Sequence, residues 1–580
     1  MSEQKKQGFV EGALVLAMGT LIVKIIGVFF KMPLSNLLGG VGGSYFMAAY
    51  TIFNMIFSLA VTGFPVAISK MVSENIALGR YKDVKRVLRV ALIIFSVSSV
   101  LFFLLMSLGA GPFSRLIKLE GARRSIIALS PAIIFTCLMS AYRGYYQGMQ
   151  NMFPTAISQV IEAITKLCCG MLFAYATQKY AIGVFEKTGM VFGVPFSSKN
   201  AAMIEISTYS AASAILGITL STFVGLIYVY LRHKIKGDGI TKAMLELSPE
   251  PRSKKLTGYT MLSIAIPICL GAIAVNLTTF IDTVSVMSRL ERAMAAGGDK
   301  IIAMFGELIP SNMPFEDIPS YLYGSYSMFS VSIFNLVPAL TATIGISALP
   351  MISASHAKRN GREVRRGVSS VLRVTAILAI PAGLGISFLS EPITNLLYYA
   401  RPQEAAIAAI LLKTLGVASI FVAFTAPLNS MLQAIGKVTI PVKLMLIGGA
   451  VKLIINFIFV SIPSFNILAV SWGTLICYIL IVLASLYILY KNIGDKFDLK
   501  GIFLKPGFCG ILCGVSARLS YIWLTKLVPS RIMLFVAIAI GGIVYGISMI
   551  LVKGIQKDDV LLLPKGEKIA KVLEKCSIIG

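Results

Sequence analysis

The chain has 580 residues, of which 56% are hydrophobic and only 14% charged, and its mean hydropathy is +0.82. That composition excludes a soluble globular protein. The formal net charge of +27 invites a nucleic-acid reading, but the basic residues gather in alternate loops between apolar runs, and that distribution argues against it.

A bilayer core needs about 20 apolar residues per helical crossing. Runs of that kind are predicted near 10–36, 44–69, 88–110, 125–147, 154–177, 207–231, 259–287, 323–351, 368–389, 405–432, 440–461, 467–490, 502–525 and 531–552. The first carries charge and has no small-residue cleavage site, so it reads as a retained helix, not a signal peptide. Backbone groups in lipid must be bonded within their own segment, so the runs are helices and the fold class is all-α integral membrane, with about fourteen transmembrane helices. Lys70, Arg80, Lys82, Lys85, Arg86 and Arg89 form one basic loop; 232–256, 358–366, 491–505 and the tail supply the others. Acids such as Glu291, Glu307, Glu316, Asp317, Glu391 and Glu404 concentrate in loops of opposite parity. The positive-inside rule then puts both termini in the cytoplasm of a multi-pass cell-membrane protein. Arg115, Lys118, Arg123 and Arg124 fall outside in that scheme and are its exception.

The chain repeats itself. Tyr146-Gln147-Gly148 with Lys166 returns as Leu432-Gln433-Ala434 with Lys452, the two glutamines being as far apart as the two lysines. Asp83-Val84-Lys85-Arg86 likewise returns as Glu363-Val364-Arg365-Arg366. Duplicated bundles are a common transporter plan, with the substrate path between the copies. The expected domains are a six-helix lobe at 1–231, a basic cytoplasmic linker at 232–256, a second six-helix lobe at 257–491, and two further helices with a basic tail at 492–580. Six crossings per copy relate the lobes by a pseudo-two-fold along the membrane normal. Loop 288–322 is expected to fold as short helices outside, and the tail after Pro564 as an interfacial basic helix or a solvated extension.

Ionisable groups within spans cost a few kcal/mol each and are functional candidates. Lys24 and Lys31 lie two turns apart on one face of the first span; Lys31, near its outer end, can also snorkel. Glu162 and Lys166 have the spacing and order of a self-neutralising pair. Lys452, with Gly448 one turn before it, lacks such a partner and is expected to need water, a carbonyl or an anionic ligand. Asp282, the lone carboxylate of span seven, falls near Lys31 if spans one and seven are superposed, so a charge pair between them is conceivable. Arg143 reads as a headgroup contact, and His233 and His356 as solvated. The cysteines read as small apolar filler, with no metal site among them. Cations in a cavity suit an anionic substrate, for which lysine is a point-charge ligand.

Gly19-Thr20-Leu21, Lys24-Ile25-Ile26-Gly27, Lys31-Met32-Pro33-Leu34, Phe280-Ile281-Asp282-Thr283 and Ala348-Leu349-Pro350-Met351 resemble the stage V sporulation protein B and MurJ-like lipid II flippase group of the multidrug/oligosaccharidyl-lipid/polysaccharide (MOP) exporter superfamily. The resemblance covers essentially the whole chain and implies a MATE/MurJ-like fold. Relatives carry arginine where Lys24 stands, implicated in gripping a lipid-linked pyrophosphate. The MurJ branch also has an acid at the start of its second span and an arginine in its eighth, where this chain has Ser44 and an uncharged stretch around Val331.

The expected protein is a flippase moving an undecaprenyl-pyrophosphate-linked glycan, lipid II first among candidates, by alternating access. The expected substrate-binding residues are Lys24, Lys31, Lys452, Lys166, Gln147 and Gln433, and the coupling or gating residues Asp282 and Glu162. No metal or cofactor is expected. The expected partners are the anionic lipid-linked oligosaccharide, membrane lipids, a coupling ion (Na+ or H+) and cell-wall synthesis proteins, and no nucleic acid. Without a Gly-x-x-x-x-Gly-Lys-Ser/Thr motif the energy would come from the membrane potential or an ion gradient. Alternatives are a MATE-type drug or cation antiporter, which would be expected to carry deep acids in the first lobe, and an exporter of another lipid-linked polysaccharide unit. A membrane transferase enzyme would need clustered surface carboxylates or histidines, and a non-transporting scaffold would not need charges inside spans.

Overall fold

The computed structural model describes residues 9–196, 198–311, 313–493 and 500–554, and these are overwhelmingly helical. The first helix, α1 (Phe9–Ala60), is 52 residues long. Straight, it would extend about 78 Å, more than twice the roughly 30 Å hydrocarbon core. Gly39 breaks it, at φ 68, a left-handed backbone that glycine adopts without a Cβ penalty. A turn at 61–63 then leads into α2 (Phe64–Ala77). The two expected runs 10–36 and 44–69 therefore fall in one kinked stretch made of α1 and α2.

There follow α3 (Tyr81–Leu108), α4 (Ala110–Leu116), α5 (Ala122–Leu129), α6 (Ala132–Gly148), α7 (Phe153–Thr188), a hairpin of β1 (Met190–Val191) and β2 (Val194–Pro195), α8 (Lys199–Lys236), α9 (Lys242–Glu246) and α10 (Lys254–Phe305). The later chain forms α11 (Ile318–Gly324), α12 (Val331–Phe334), α13 (Leu336–Ala357), α14 (Gly361–Phe388), α15 (Ser390–Leu397), α16 (Pro402–Ala434), α17 (Ile440–Phe459), α18 (Leu468–Ile493), α19 (Lys505–Leu527) and α20 (Met533–Leu551). Among the described residues twelve helices are long and apolar enough to cross a membrane. The expected run 323–351 is not one regular helix, because a π-helical stretch at Ser325–Ser330 separates α11 from α12. The expected tail helix at Lys565–Lys575 lies outside the described residues.

The chain divides into two compact units, Met1–Ser288 with Ser311–Gly324, and Arg289–Pro310 with Ser325–Gly580. Compactness thus groups the first part of α10 with unit 1, where Gly63 N donates to Cys269 Sγ at 3.3 Å and Asn276 Nδ2 to Ser58 Oγ at 2.7 Å.

Each unit ends its helices in the same way at the repeated motifs. After α6, Asn151 N donates to Tyr146 O and Gln150 N to Gln147 O, both at 3.0 Å, with Gln150 at φ 59. After α16, Lys437 N donates to Leu432 O at 2.9 Å and Gly436 N to Gln433 O at 3.0 Å, with Gly436 at φ 81. The turn before α3 (Arg80 N to Asn75 O, Gly79 N to Ile76 O) matches the turn before α14 (Asn360 N to Ser355 O, Arg359 N to His356 O). All four are Schellman closures, which satisfy the last carbonyls of a helix.

In unit 1 the stretch 237–253 is tied down along its length. Asp83, 2% exposed, accepts Arg80 Nε at 2.7 Å and Arg252 N at 2.8 Å. Lys82 N donates to Ser248 Oγ at 3.1 Å, and Arg86 Nη1 to Pro251 O at 3.3 Å. At the other end buried Asp238 accepts Tyr145 OH at 2.8 Å and lies 3.8 Å from Lys85 Nζ. His233, expected in solvent, is half-buried among the rings of Tyr142, Tyr145 and Tyr146, with its Nδ1 3.1 Å from Tyr146 OH. Removing the Asp83 carboxylate leaves a guanidinium and a backbone N–H without their acceptor, a loss of about 2–4 kcal/mol. Asp83→Ala is expected to release the stretch, seen as trypsin cleavage at exposed Lys254 and Lys255 faster by about tenfold or more, with the wild-type oligomeric profile retained on size exclusion.

Candidate functional site

The charged residues singled out in the sequence take up different positions in unit 1. Lys31 and Lys166, on α1 and α7, meet at one aromatic ring: Tyr50 has Lys31 Nζ 6.0 Å and Lys166 Nζ 5.2 Å from its centroid. Lys166 Nζ also lies 5.1 Å from the Phe30 ring. The rings continue as a row, Phe30 to Phe46 at 6.3 Å and Phe46 to Tyr50 at 6.2 Å, the latter pair stacked within 9°. Gly170 on α7 makes room for this row, since a Cβ there would stand 2.8 Å from the Phe30 ring. The two ammonium groups also act on each other as like charges.

Glu162 is not the partner of Lys166. Its Oε2 accepts Arg143 Nη2 at 3.0 Å, and Arg143 Nε donates to Ser158 Oγ at 2.9 Å. The guanidinium on α6 reaches both acceptors on α7 at once, which a single ammonium one turn along the same helix does not match. Arg143 therefore points into the bundle and not to headgroups. With Glu162 committed, neither Lys31 nor Lys166 has a carboxylate within ion-pair distance among the described residues. Lys31 makes no charge pair with Asp282 in this conformation.

Asp282 is 5% exposed on α10 and has an interacting partner. Beside it Thr283 Oγ1 accepts Tyr323 OH at 3.1 Å, and the carboxylate is close enough to act electrostatically on that tyrosine. Lys24 is partly buried on α1 and also engaged. In unit 2, Lys452 is 3% exposed on α17 and engaged, in keeping with the need of a buried ammonium without a carboxylate one turn back. Gln147 and Gln433 contribute backbone carbonyls to the matching helix-ending turns, with side chains half-buried and exposed respectively. Ser44 is fully buried and donates to Val41 O at 2.7 Å, an intrahelical bond.

The magnitudes decide what the lysine pair needs. A cation–π contact returns about 0.5–2 kcal/mol, while taking an ammonium out of water costs several kcal/mol. Two rings do not offset two partly buried ammonium groups, so the pair calls for water or an anion. Sequence reasoning missed Tyr50 and Phe30 and assigned Arg143 to headgroups. Arg143, a guanidinium within a predicted span, was the available signal.

Residues 9–194 match the family model described as polysaccharide biosynthesis protein, and residues 323–546 match that of lipid II flippase MurJ. Two relatives from Bacillus subtilis (strain 168) align over nearly their full length. The lipid II flippase MurJ is 25% identical over 92% of this chain and 93% of its own; stage V sporulation protein B is 23% identical over 96% and 98%. Among solved structures, an inward closed conformation of lipid II flippase MurJ superposes with a TM-score of 0.63, at 17% identity over 93% of this chain and 98% of that one. In sequence and fold the chain is similar to the MurJ-like lipid II flippases. An inward-facing multidrug resistance MATE family transporter of that superfamily has the same fold, with a TM-score of 0.56 at 15% identity, over 81% of this chain and 98% of its own. With twelve candidate spans among the described residues, the chain is a multi-pass membrane protein similar to proteins described as flippases.

Proposed function

We propose that this MurJ-like protein moves an undecaprenyl-pyrophosphate-linked glycan across the cytoplasmic membrane, from the inner to the outer leaflet, with lipid II as the leading candidate. The observation that carries the reading is the pair Lys31 and Lys166 at the Tyr50 ring, without a carboxylate in reach among the described residues. A diphosphate is the ligand whose charge this pair compensates, and its oxygens accept from ammonium donors without demanding a fixed geometry. An antiporter of organic cations would be repelled there, since the neighbouring acid is already held by Arg143. Lys24, at the position where relatives carry arginine, would receive the same group two turns away along α1. Lys452 would serve in unit 2, and Gln147 and Gln433 would act through the turns they close. The basic loops favour cytoplasmic termini and an outer 288–322.

A second lipid-linked polysaccharide unit is the specific competitor. The part of the chain holding the lysine pair lies within 9–194, which matches the polysaccharide biosynthesis model and not the MurJ one. The two readings share the diphosphate and differ in the glycan.

In proteoliposomes, Lys31→Gln combined with Lys166→Gln is expected to lower translocation of lipid II, or of the alternative lipid-linked glycan, by about 10- to 100-fold, the equivalent of losing charge-assisted contacts. Lys24→Ala is expected to act in the same direction, with Lys24→Arg retaining activity. Unchanged transport by the double variant, with normal insertion, would remove the main support for the reading.

For coupling we assign Asp282, a buried carboxylate whose neighbours would change as a transporter alternates, with Glu162 holding Arg143 as a structural counterpart. Asp282→Asn is expected to alter the pH or sodium dependence of the transport rate more than substrate affinity. A rate profile identical to wild type across both variables would assign coupling elsewhere.

A further inference from the structure

Four basic residues run against the charge pattern of the sequence, and three of them line the same hollow. Between the end of α3 and the start of α5, at the end of unit 1 away from the tied-down stretch 237–253, lies a cavity of about 1050 Å³ bordered by Arg115, Arg123 and Arg124. Arg124 is fixed: its Nη1 lies 2.7 Å from Glu205 Oε1 on α8, and its guanidinium covers the Tyr209 ring at 4.2 Å. Arg115 and Arg123 are exposed and have no carboxylate within ion-pair distance among the described residues. Glu120 also borders the cavity, likewise without an ion pair.

The corner is preformed. Leu119 N donates to Ser114 O at 3.0 Å and Lys118 N to Arg115 O at 3.1 Å, closing α4 as the other repeated turns close their helices. Arg123 Nε then lies against Gly111 of α4, 4.0 Å from where a Cβ would stand. The fold does not require the arginines. Unit 2 builds the corresponding corner from α14, α15 and α16, and at the separation that relates α3 to α14 and α5 to α16 the three positions hold Asn395, Gln403 and Glu404. Beside the arginines, Leu108 is 77% exposed and Leu116 56% exposed, so guanidinium forks and bare aliphatic surface meet at one rim.

We propose that this corner is a phosphate-oxyanion site for a membrane lipid headgroup, with the lipid chains lying along the exposed leucines. Arg115 and Arg123 supply the forked donors that match phosphate oxygens, Arg124 is held in reserve by Glu205, and Glu120 weakens the field. The source of the phosphate is either an isoprenyl diphosphate lipid or an anionic phospholipid. The site shares no residue with the Lys31–Lys166 pair and does not depend on what that pair binds.

The test is a binding titration of the full-length protein in phosphatidylcholine nanodiscs, in the Lys31→Gln/Lys166→Gln background so that the first candidate site is silent. Farnesyl diphosphate and short-chain phosphatidylglycerol are the probes and short-chain phosphatidylcholine the zwitterionic control. Adding Arg115→Gln and Arg123→Gln is expected to weaken binding of the anionic probes by about tenfold or more, without affecting the control. Glu120→Gln is expected to tighten it by roughly twofold to fivefold, a gain that misfolding does not produce. Tighter binding of farnesyl diphosphate assigns the site to diphosphate lipids, and equal binding assigns it to phosphate headgroups at large. Anionic probes that bind no better than phosphatidylcholine, or that bind equally after loss of both arginines, overturn the proposal. Neither result bears on transport by the lysine pair.

Discussion

Two ammonium groups drawn to one tyrosine ring, with no carboxylate among the described residues to neutralise them, set the terms for the rest of unit 1. The arrangement exists because Arg143 takes Glu162, which turns an expected neutral pair on α7 into an arginine–glutamate pair and a free-standing lysine. Lys166 then turns towards α1 and joins Lys31 around Tyr50 and Phe30. A row of rings partly stabilises cations and tolerates their changing occupancy, whereas a carboxylate would fix them. That distinction separates a place where an anion can come and go from a permanently closed salt bridge.

The surrounding helices serve this arrangement through close approaches. Gly39 breaks α1 so that Lys31 and Tyr50 fall on either side of the kink, and Gly170 lets the Phe30 ring lie against α7. On the side of the connecting stretch, Asp83 and Asp238 anchor 237–253 to α3 and to the tyrosines of α6. Unit 1 thus carries its own connecting segment as a bound strap. A motion of α3 or α6 would be felt directly by the chain leading into α10.

Much of the fold was legible because its signals are local. Apolar length predicts helices in lipid. The repeated motifs mark helix-ending turns that recur with the same hydrogen bonds in both units. What escaped depends on neighbours distant in sequence. The spacing of Glu162 and Lys166 is a correct helix rule, yet Arg143, 19 positions before Glu162, wins by offering two donors from another helix. Gln147 and Gln433 stood out because the motif repeats, but what repeats around them is backbone closure. The Arg115–Arg124 cluster was visible as an anomaly, and its meaning required seeing that the three equivalent positions of unit 2 hold Asn395, Gln403 and Glu404.

The central claim, that an anionic lipid diphosphate occupies the space around Tyr50, is open to a direct local measurement. A photo-crosslinking benzoylphenylalanine at position 50 retains an aromatic ring there and reports what touches it. Irradiation in proteoliposomes should attach the lipid-linked diphosphate substrate, the adduct should be competed by excess pyrophosphate, and it should fall away when Lys31 and Lys166 are both glutamine. An adduct that persists unchanged without the two lysines, or one formed by organic cations and not by the diphosphate lipid, would contradict the account.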